Sequence, residues 1–190
     1  MSAFFVWITV LTLLISIPGR AIAGSDLTVT IRQLTPFGSG DPIGTIRFQD
    51  SPDGLRIQPR LDSLPAGPHG LHVHSNPDCG PGMKDGQPVA GLAAGGHFDP
   101  AETGLHAGPL GKGHLGDLPR LVVDADGQAG EELLAPRLTV ADLSGRSVMV
   151  HAGGDNYSDE PSPLGGGGAR LACGVIPPPD DSPAARGPRD

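Results

Sequence analysis

Short runs of alternating apolar and polar residues are spread along most of the chain. In LTVTIRQL, residues 27–34, Leu27, Val29 and Ile31 fall on one face of an extended segment and polar residues fall on the other. This alternation is typical of a β-strand that is buried on one side. GTIRFQD (44–50) and LRIQPRL (55–61) repeat the pattern on either side of SPDG, which has the proline and glycine of a tight turn. These segments predict one strand followed by a hairpin.

Five more segments bring the set to about eight strands. They are GLHVH (70–74), RLVVDADG (120–127), EELLAPRL (131–138), SVMVH (147–151) and RLACGVI (170–176). Glycine and proline, at 30 and 21 residues, interrupt the chain too often for long helices, although LTVADLSG (138–145) can hold one helical turn. We therefore expect one all-β domain over residues 24–176.

Two long segments lack this periodicity. Residues 75–119 and 152–169 are rich in glycine. Loops of this length are uncommon in a compact fold unless something other than an apolar core orders them, and a disulfide or bound metal ions would do so. GGGG (165–168) lacks the ending of a phosphate-binding loop, so we expect it to permit close packing near Arg170.

The two ends of the chain differ from the domain between them. The apolar run at residues 3–17 is too short for a comfortable membrane span and leads into Ala21 and Ala23, the small residues of a signal-peptidase site. We expect a signal peptide over residues 1–23, cleavage near Ala23, a periplasmic or otherwise exported location, and no stable membrane insertion afterwards. An uncleaved anchor is the alternative. Residues 177–190 form a proline-rich segment that predicts a disordered tail.

Charge and cysteine content narrow the choice of partners. The formal net charge is −8 and there is no basic cluster, which argues against a nucleic-acid partner. An exported chain meets an oxidising compartment, where Cys79 and Cys173 can pair. Two buried free thiols are the alternative.

The histidines are concentrated in one part of the chain. Alternate residues of a strand point the same way, so His72 and His74 can both face one ion, whereas the spacing of His69 turns it away. His151, at the end of another predicted strand, could supply a third nitrogen. An all-nitrogen set suits copper, which binds imidazole strongly and changes oxidation state.

A second set of candidate ligands lies in the first long loop. It consists of His97, His106, His114 and Asp117. Three imidazoles and a carboxylate form a tetrahedral set that zinc accepts, and a closed zinc site would order a glycine-rich loop. If His97 used both ring nitrogens, it would complete both sites.

Several motifs together resemble the copper/zinc superoxide dismutase family, in its bacterial exported form. They are, in order, HGLHVH, AGGHFDP, GKGHLGDLP, MVHAGGDNYSD and GGGGARLACGVI, and the resemblance spans residues 26–176. It implies an eight-stranded Greek-key β-sandwich or barrel with two long functional loops. It also implies dismutation of superoxide to dioxygen and hydrogen peroxide by a cycling copper ion, bridged through a histidine imidazolate to a structural zinc.

The resemblance implies a role for each matching residue. The copper ligands would be His72, His74 and His151, with His97 as the bridge. The zinc ligands would be His97, His106, His114 and Asp117. Asp155 would hydrogen-bond one ligand histidine of each metal, Cys79 and Cys173 would form the family disulfide, and Arg170 would dock superoxide beside the copper.

The sequence is also compatible with two other functions. The same fold could serve as a non-catalytic copper- and zinc-binding protein, and three histidines around an open zinc could serve a hydrolase or hydratase. Both a monomer and a homodimer are compatible with the chain. Many bacterial members carry a second lysine three positions after the one that matches Lys84, and this chain has Gln87 there, so we expect weaker steering of the anionic substrate.

Overall fold

The computed structural model describes residues 25–178, which form eleven β-strands and three short 3-10 helices. The strands are β1 Asp26–Thr35, β2 Gly38–Ser51, β3 Gly54–Leu61, β4 Gly67–His69, β5 Leu71–His74, β6 Gly82–Lys84, β7 Gln87–Val89, β8 Leu121–Val123, β9 Leu133–Ala135, β10 Arg146–His151 and β11 Arg170–Ile176. The 3-10 helices are Leu92–Ala94, Ala141–Leu143 and Pro163–Gly166. In residues 25–178 no helix has the length and apolar content of a membrane span. The expected signal peptide and residues 179–190 of the expected tail lie outside the described residues.

The strands form a curled antiparallel sheet with a Greek-key order. Seven strands pair in the order β5-β10-β11-β1-β2-β3-β9, and β4, separated from β5 by Gly70 alone, pairs with β8. The last strand, β11, thus returns beside the first, and β10 lies between β11 and β5. The predicted all-β Greek-key architecture is confirmed. The eight predicted segments correspond to eight of the strands, while the short β4, β6 and β7 are additional.

Alternating apolar residues build the core between the walls of this sheet. Val29 of β1 pairs with Ile46 of β2, and Phe48 of β2 pairs with Ile57 of β3. All four side chains are buried, as the alternation predicted. Complete burial of a side chain of this size contributes about 1.5 to 3 kcal/mol. The barrel wall is therefore a rigid support for the loops.

Two predicted strands are shorter than the alternation suggested. β8 covers only Leu121–Val123, because the Asp124 carboxylate accepts the backbone N–H groups of Asp126 and Gln128 and closes a turn. β9 ends at Ala135, immediately before Pro136, which has no N–H to donate to a sheet.

The loop of residues 75–119 has more order than its sequence indicates. It contains the β6–β7 hairpin and the 3-10 helix Leu92–Ala94. A disulfide joins Cys79 in this loop to Cys173 in β11, with a Cα–Cα distance of 5.8 Å and a sequence separation of 94 residues. Closing a loop of that length stabilises a fold by about 4 to 5 kcal/mol in the chain-entropy account. The loop is thereby fixed to the barrel wall.

Candidate metal centre

Three histidines meet where β5 and β10 pair. His72 and His74 lie on β5, and His151 ends β10, the neighbouring strand. His74 Nε2 lies 3.3 Å from His151 Nε2. Val73, between the two β5 histidines, points into the apolar core. β5 is therefore buried on both faces. The face that carries His72 and His74 packs against other polar side chains and not against solvent.

The first long loop reaches β5 through three backbone hydrogen bonds. The Phe98 N–H donates to Val73 O at 2.8 Å, the Val73 N–H to Gly116 O at 2.9 Å, and the Leu118 N–H to Leu71 O at 3.3 Å. These bonds bring His97 beside His74 and Asp117 beside His72. Side chains that are distant in sequence thus come within ligand distance of one another.

Two groups of potential metal donors result, and in each group the donor atoms lie within 4.8 Å of one another. The first group is His72, His74, His97 and His151; the second is His72, His97, His106 and Asp117. His97 belongs to both. Its Nδ1 lies 2.9 Å from Asp117 Oδ1, which leaves Nε2 for the first group.

His72 also appears in both groups, which the sequence did not indicate. Its Nε2 hydrogen-bonds to Asp155 Oδ2 at 2.8 Å, so only Nδ1 remains as a donor to an ion. That Nδ1 is buried without a hydrogen-bond partner. A buried polar atom without a partner is costly, and a metal ion would supply the missing interaction. One free nitrogen serves one ion.

The second group is centred on Asp117. Asp117 Oδ2 lies 3.0 Å from His106 Nδ1, and Oδ1 lies 3.3 Å from His114 Nδ1. His106 Nδ1 is nevertheless without a hydrogen bond. Zinc–ligand bonds of 2.0 to 2.1 Å put the ligand atoms of a tetrahedron about 3.3 Å apart, so the spacing fits ligands around an ion. His114 is not a member of the group, although its Nδ1 contacts the same carboxylate.

A single carboxylate joins the two clusters. Asp155 Oδ2 accepts from His72 Nε2 and Oδ1 accepts from His106 Nε2, both at 2.8 Å. The Tyr157 N–H also donates to Oδ1. Gly165 has a φ of +69°, and a Cβ there would lie 2.2 Å from Asp155 Oδ1. The first glycine of GGGG therefore packs against Asp155, whereas the sequence suggested packing near Arg170.

Arg170 is fixed beside the first cluster. Its Nη1 donates to Gly91 O and its Nη2 to Gly95 O, the second at 2.7 Å. His74 Nδ1 donates to the same Gly95 oxygen at 2.9 Å. The Cys79–Cys173 disulfide fixes this part of the loop to β11, the strand that Arg170 begins. The guanidinium thus has a defined position and a positive charge suited to a small anion.

The sequence model of the family described as Copper/zinc superoxide dismutase (SODC) matches residues 42–176. The chain belongs to this family. It is 56% identical over 158 residues to Superoxide dismutase [Cu-Zn] 1 of Salmonella typhimurium, covering 82% of this chain and 89% of the relative.

Solved structures agree with this assignment. The Cu/Zn superoxide dismutase from Brucella abortus superposes with a TM-score of 0.79 at 53% identity, covering 80% of this chain and 99% of that chain. The monomeric copper, zinc superoxide dismutase from Salmonella enterica gives 0.73 at 52% identity, with 80% and 99% coverage. The chain is accordingly an enzyme that dismutates superoxide with copper and zinc, and the alternative of a non-catalytic binding protein is not supported.

Burial keeps most of the histidines of this dismutase neutral. It lowers the pKa of His74 and of His151 to about 2. It also lowers the pKa of His97 to about 4, although the hydrogen bond to Asp117 raises it. Neutral rings offer lone pairs without first losing a proton, which suits metal ligands.

His106 behaves differently because it contacts two carboxylates. Burial acts to lower its pKa, but the close Asp117 carboxylate and the hydrogen bond to Asp155 outweigh burial and raise the pKa to about 9. Burial acts to raise the pKa of Asp117 and of Asp155. Their contacts with histidines outweigh burial and hold both carboxyl pKa values well below the usual range. Both carboxylates of the dismutase are thus ionised at neutral pH.

His69 takes no part in either donor group. Its Nδ1 lies 2.7 Å from His151 O and its Nε2 lies 2.8 Å from Pro65 O. It therefore connects the backbone of His151 to the segment before β4, as its odd spacing from His72 suggested. Gly165 is a residue of the dismutase site that sequence reasoning missed, since only its position against Asp155 reveals it.

Proposed function

We propose that the enzyme holds copper with His72, His74 and His151 and zinc with His106, His114 and Asp117, while His97 contacts both ions. The observation that carries this proposal is the membership of His97 in both donor groups. The first set contains nitrogen alone, which suits copper, and the second adds a carboxylate, which zinc accepts.

In this proposal the metal transfers the electrons, and the protein binds and orients the substrate. When bound, copper supplies the one-electron chemistry by which two superoxide anions and two protons become one dioxygen and one hydrogen peroxide. Arg170 binds superoxide through charge-assisted hydrogen bonds and orients it beside the first cluster. Carbonyls of Gly91 and Gly95 hold the guanidinium, so little conformational freedom is lost when the anion arrives.

His97 handles a proton in this proposal. Asp117 occupies the Nδ1 side of the ring at 2.9 Å, so the proton is taken up and released at Nε2. A ring held by Asp117 does not need to reorient between the two events. Nε2 delivers its proton to the peroxide product.

Asp155 and the disulfide support these groups. Asp155 fixes the ring orientation of His72 and His106 by accepting from both Nε2 atoms. The Cys79–Cys173 bond holds the loop segment whose carbonyls position Arg170. Neither contacts the substrate.

We extend the proposal to the whole chain. Residues 1–23 are a signal peptide cleaved near Ala23, residues 24–176 are the enzyme domain, residues 177–190 are a proline-rich tail, and the mature protein is periplasmic. A disulfide supports export, because such bonds persist in oxidising compartments. The relative from Salmonella enterica is monomeric, which supports a monomer here. Mass spectrometry of the exported protein tests cleavage near Ala23, and analytical ultracentrifugation tests the oligomeric state.

Metal analysis of the purified mature protein combined with a superoxide decay assay tests the proposal. We expect equal amounts of copper and zinc, and decay that requires copper. His97→Ala should leave some metal bound but remove the dependence of the copper site on zinc. Binding of both metals without superoxide decay, or hydrolytic activity with zinc alone, would refute it.

A further inference from the structure

One arginine outside both donor groups contacts the backbone of the first long loop (residues 75–119) at four points. Arg137 follows β9, and its neighbours Ala135 and Leu138 are buried in the barrel core. Its side chain reaches across to residues 108–114. Nε donates to Pro109 O at 3.0 Å, Nη1 to Gly113 O at 3.2 Å, and Nη2 to Gly108 O at 3.3 Å and to His114 O at 2.6 Å.

These four carbonyls belong to one tight turn that ends at His114. The His114 N–H donates to Leu105 O at 2.9 Å, so the chain doubles back on itself. A Cβ at Gly113 would lie 2.2 Å from that same Leu105 oxygen, which explains why glycine is needed there. The turn directs its carbonyls at the guanidinium, and without Arg137 they would lose their donors.

The contact requires the shape of the guanidinium and not only its charge. Among residues 25–178, no carboxylate lies within salt-bridge distance of Arg137, so backbone dipoles alone compensate it. Arginine presents five N–H donors in a rigid planar fork, and four of them are used here. The three donors of lysine radiate from one nitrogen and cannot span both ends of the turn.

His114 is the zinc ligand that most depends on this contact. His106 is anchored separately, because its N–H donates to Asp159 Oδ2 at 2.8 Å and its Nε2 to Asp155. His97 is held by Asp117. The His114 side chain is 10% exposed, whereas that of His106 is fully buried, so it is the outermost member of the set.

We propose that Arg137 is a positioning residue that sets the affinity for zinc by holding the backbone of His114. The inference rests on the proposed function, in which His114 is the fourth zinc ligand. If Arg137 is replaced, the turn opens and His114 leaves Asp117, while His97, His106 and Asp117 stay in place. Zinc would then be held by His97, His106 and Asp117 alone.

The first test is competition of Arg137→Lys with a zinc chelator. We expect a roughly 10- to 100-fold loss of zinc affinity, as for other residues that orient metal ligands, and an unchanged copper affinity. Arg56→Lys, on the exposed outer side of β3, is the matched control and should keep wild-type zinc affinity. Arg137→Gln is measured in parallel, so that a folding failure of one variant leaves the other to decide. Wild-type zinc affinity in a folded Arg137 variant would overturn the inference.

A double-mutant cycle with His114→Ala separates positioning from a general structural role. If Arg137 acts through His114, Arg137→Lys causes no further loss of zinc affinity in the His114→Ala background. The visible spectrum of cobalt bound in place of zinc should then be the same for both single variants. Additive losses would contradict positioning through His114. Failure of the wild-type protein to bind zinc would instead refute the proposed function.

Discussion

His72 and His106 hydrogen-bond through their Nε2 atoms to the two oxygens of one carboxylate, that of Asp155, each at 2.8 Å. A carboxylate can only accept, so both Nε2 atoms carry a proton, and when either ring is neutral its lone pair lies on Nδ1. The two Nδ1 atoms face different clusters without hydrogen-bond partners of their own. Asp155 therefore sets the tautomer of one candidate ligand in each cluster.

Replacing Asp155 with asparagine should disturb one cluster more than the other. The amide has one accepting and one donating end, so one of the two histidines must turn its lone pair toward Asn and place its proton on Nδ1. We expect one metal site to lose affinity by roughly 10- to 100-fold. Metal analysis after dialysis against a chelator measures this effect. Wild-type retention of both metals would show that Asp155 does not control the tautomers.

Replacing Arg170 with alanine should slow turnover without releasing metal. A hydrogen bond to a charged group contributes about 1.5 to 3 kcal/mol, which corresponds to a rate loss of roughly 10- to 100-fold. Arg170→Lys should be intermediate, because an ammonium cannot engage Gly91 O and Gly95 O and still present a planar pair of donors. Superoxide decay after pulse radiolysis gives the rate, and metal content is the control. A full rate in Arg170→Ala would remove this residue from the mechanism.

The metal-free protein should lose stability in mild acid. The folded pKa values of His74 and His151 are about 2, below the unfolded value of about 6.5. Their contribution to stability is complete above pH 6.5 and falls as the pH drops, by about 2 kcal/mol per histidine at pH 5. His106 acts oppositely: its folded pKa of about 9 gives a contribution that is present below pH 6.5 and lost toward pH 9.

Urea unfolding between pH 5 and pH 9 checks this prediction. The free energy of unfolding should pass through a maximum near pH 6.5. His74→Gln, which cannot titrate in this range, should show a smaller decline on the acid side. A metal-free protein that is more stable at pH 5 than at pH 6.5 would contradict the burial of neutral histidines.

The rate of superoxide decay by the wild-type protein should depend only weakly on ionic strength. Gln87→Lys should strengthen this dependence. Lys84 and residue 87 are paired across the β6–β7 hairpin, and both are exposed. Gln87→Lys adds a second positive charge there and should raise the rate at low salt, with a steeper decline as salt rises. Gln87→Glu should act in the opposite direction. A steep salt dependence in the wild type would show that other charges dominate the steering.

Local patterns in the sequence predicted the fold and much of the site. Alternation located the strands, and the spacing of His72 and His74 predicted a shared face because that spacing is a property of any strand. Residue chemistry suggested the remaining ligands and the pairing of Cys79 with Cys173, and the resemblance added Asp155 and the role of Arg170. The structure brings six of the seven predicted donors together in two groups, whereas His114 lies outside both and contacts Asp117 at 3.3 Å.

The residues that sequence reasoning missed act through contacts between distant segments. Gly165 is a glycine because Asp155 and His106 occupy the space of its side chain. Arg137 was part of a predicted strand, yet its side chain serves a turn more than 20 residues earlier. His72 enters the second donor group because a backbone bridge places it beside Asp117. Contacts of this kind, between segments that are distant in sequence, leave no periodic pattern in either segment.

The central claim is that the His97 ring contacts both ions. The most direct measurement is the electron paramagnetic resonance spectrum of the copper-loaded protein, recorded before and after selective removal of zinc. A shared ring transmits the loss of zinc to the copper site, so the spectrum should change, and in His97→Ala it should not respond to zinc. An identical spectrum of the wild-type protein in the two states would contradict the account.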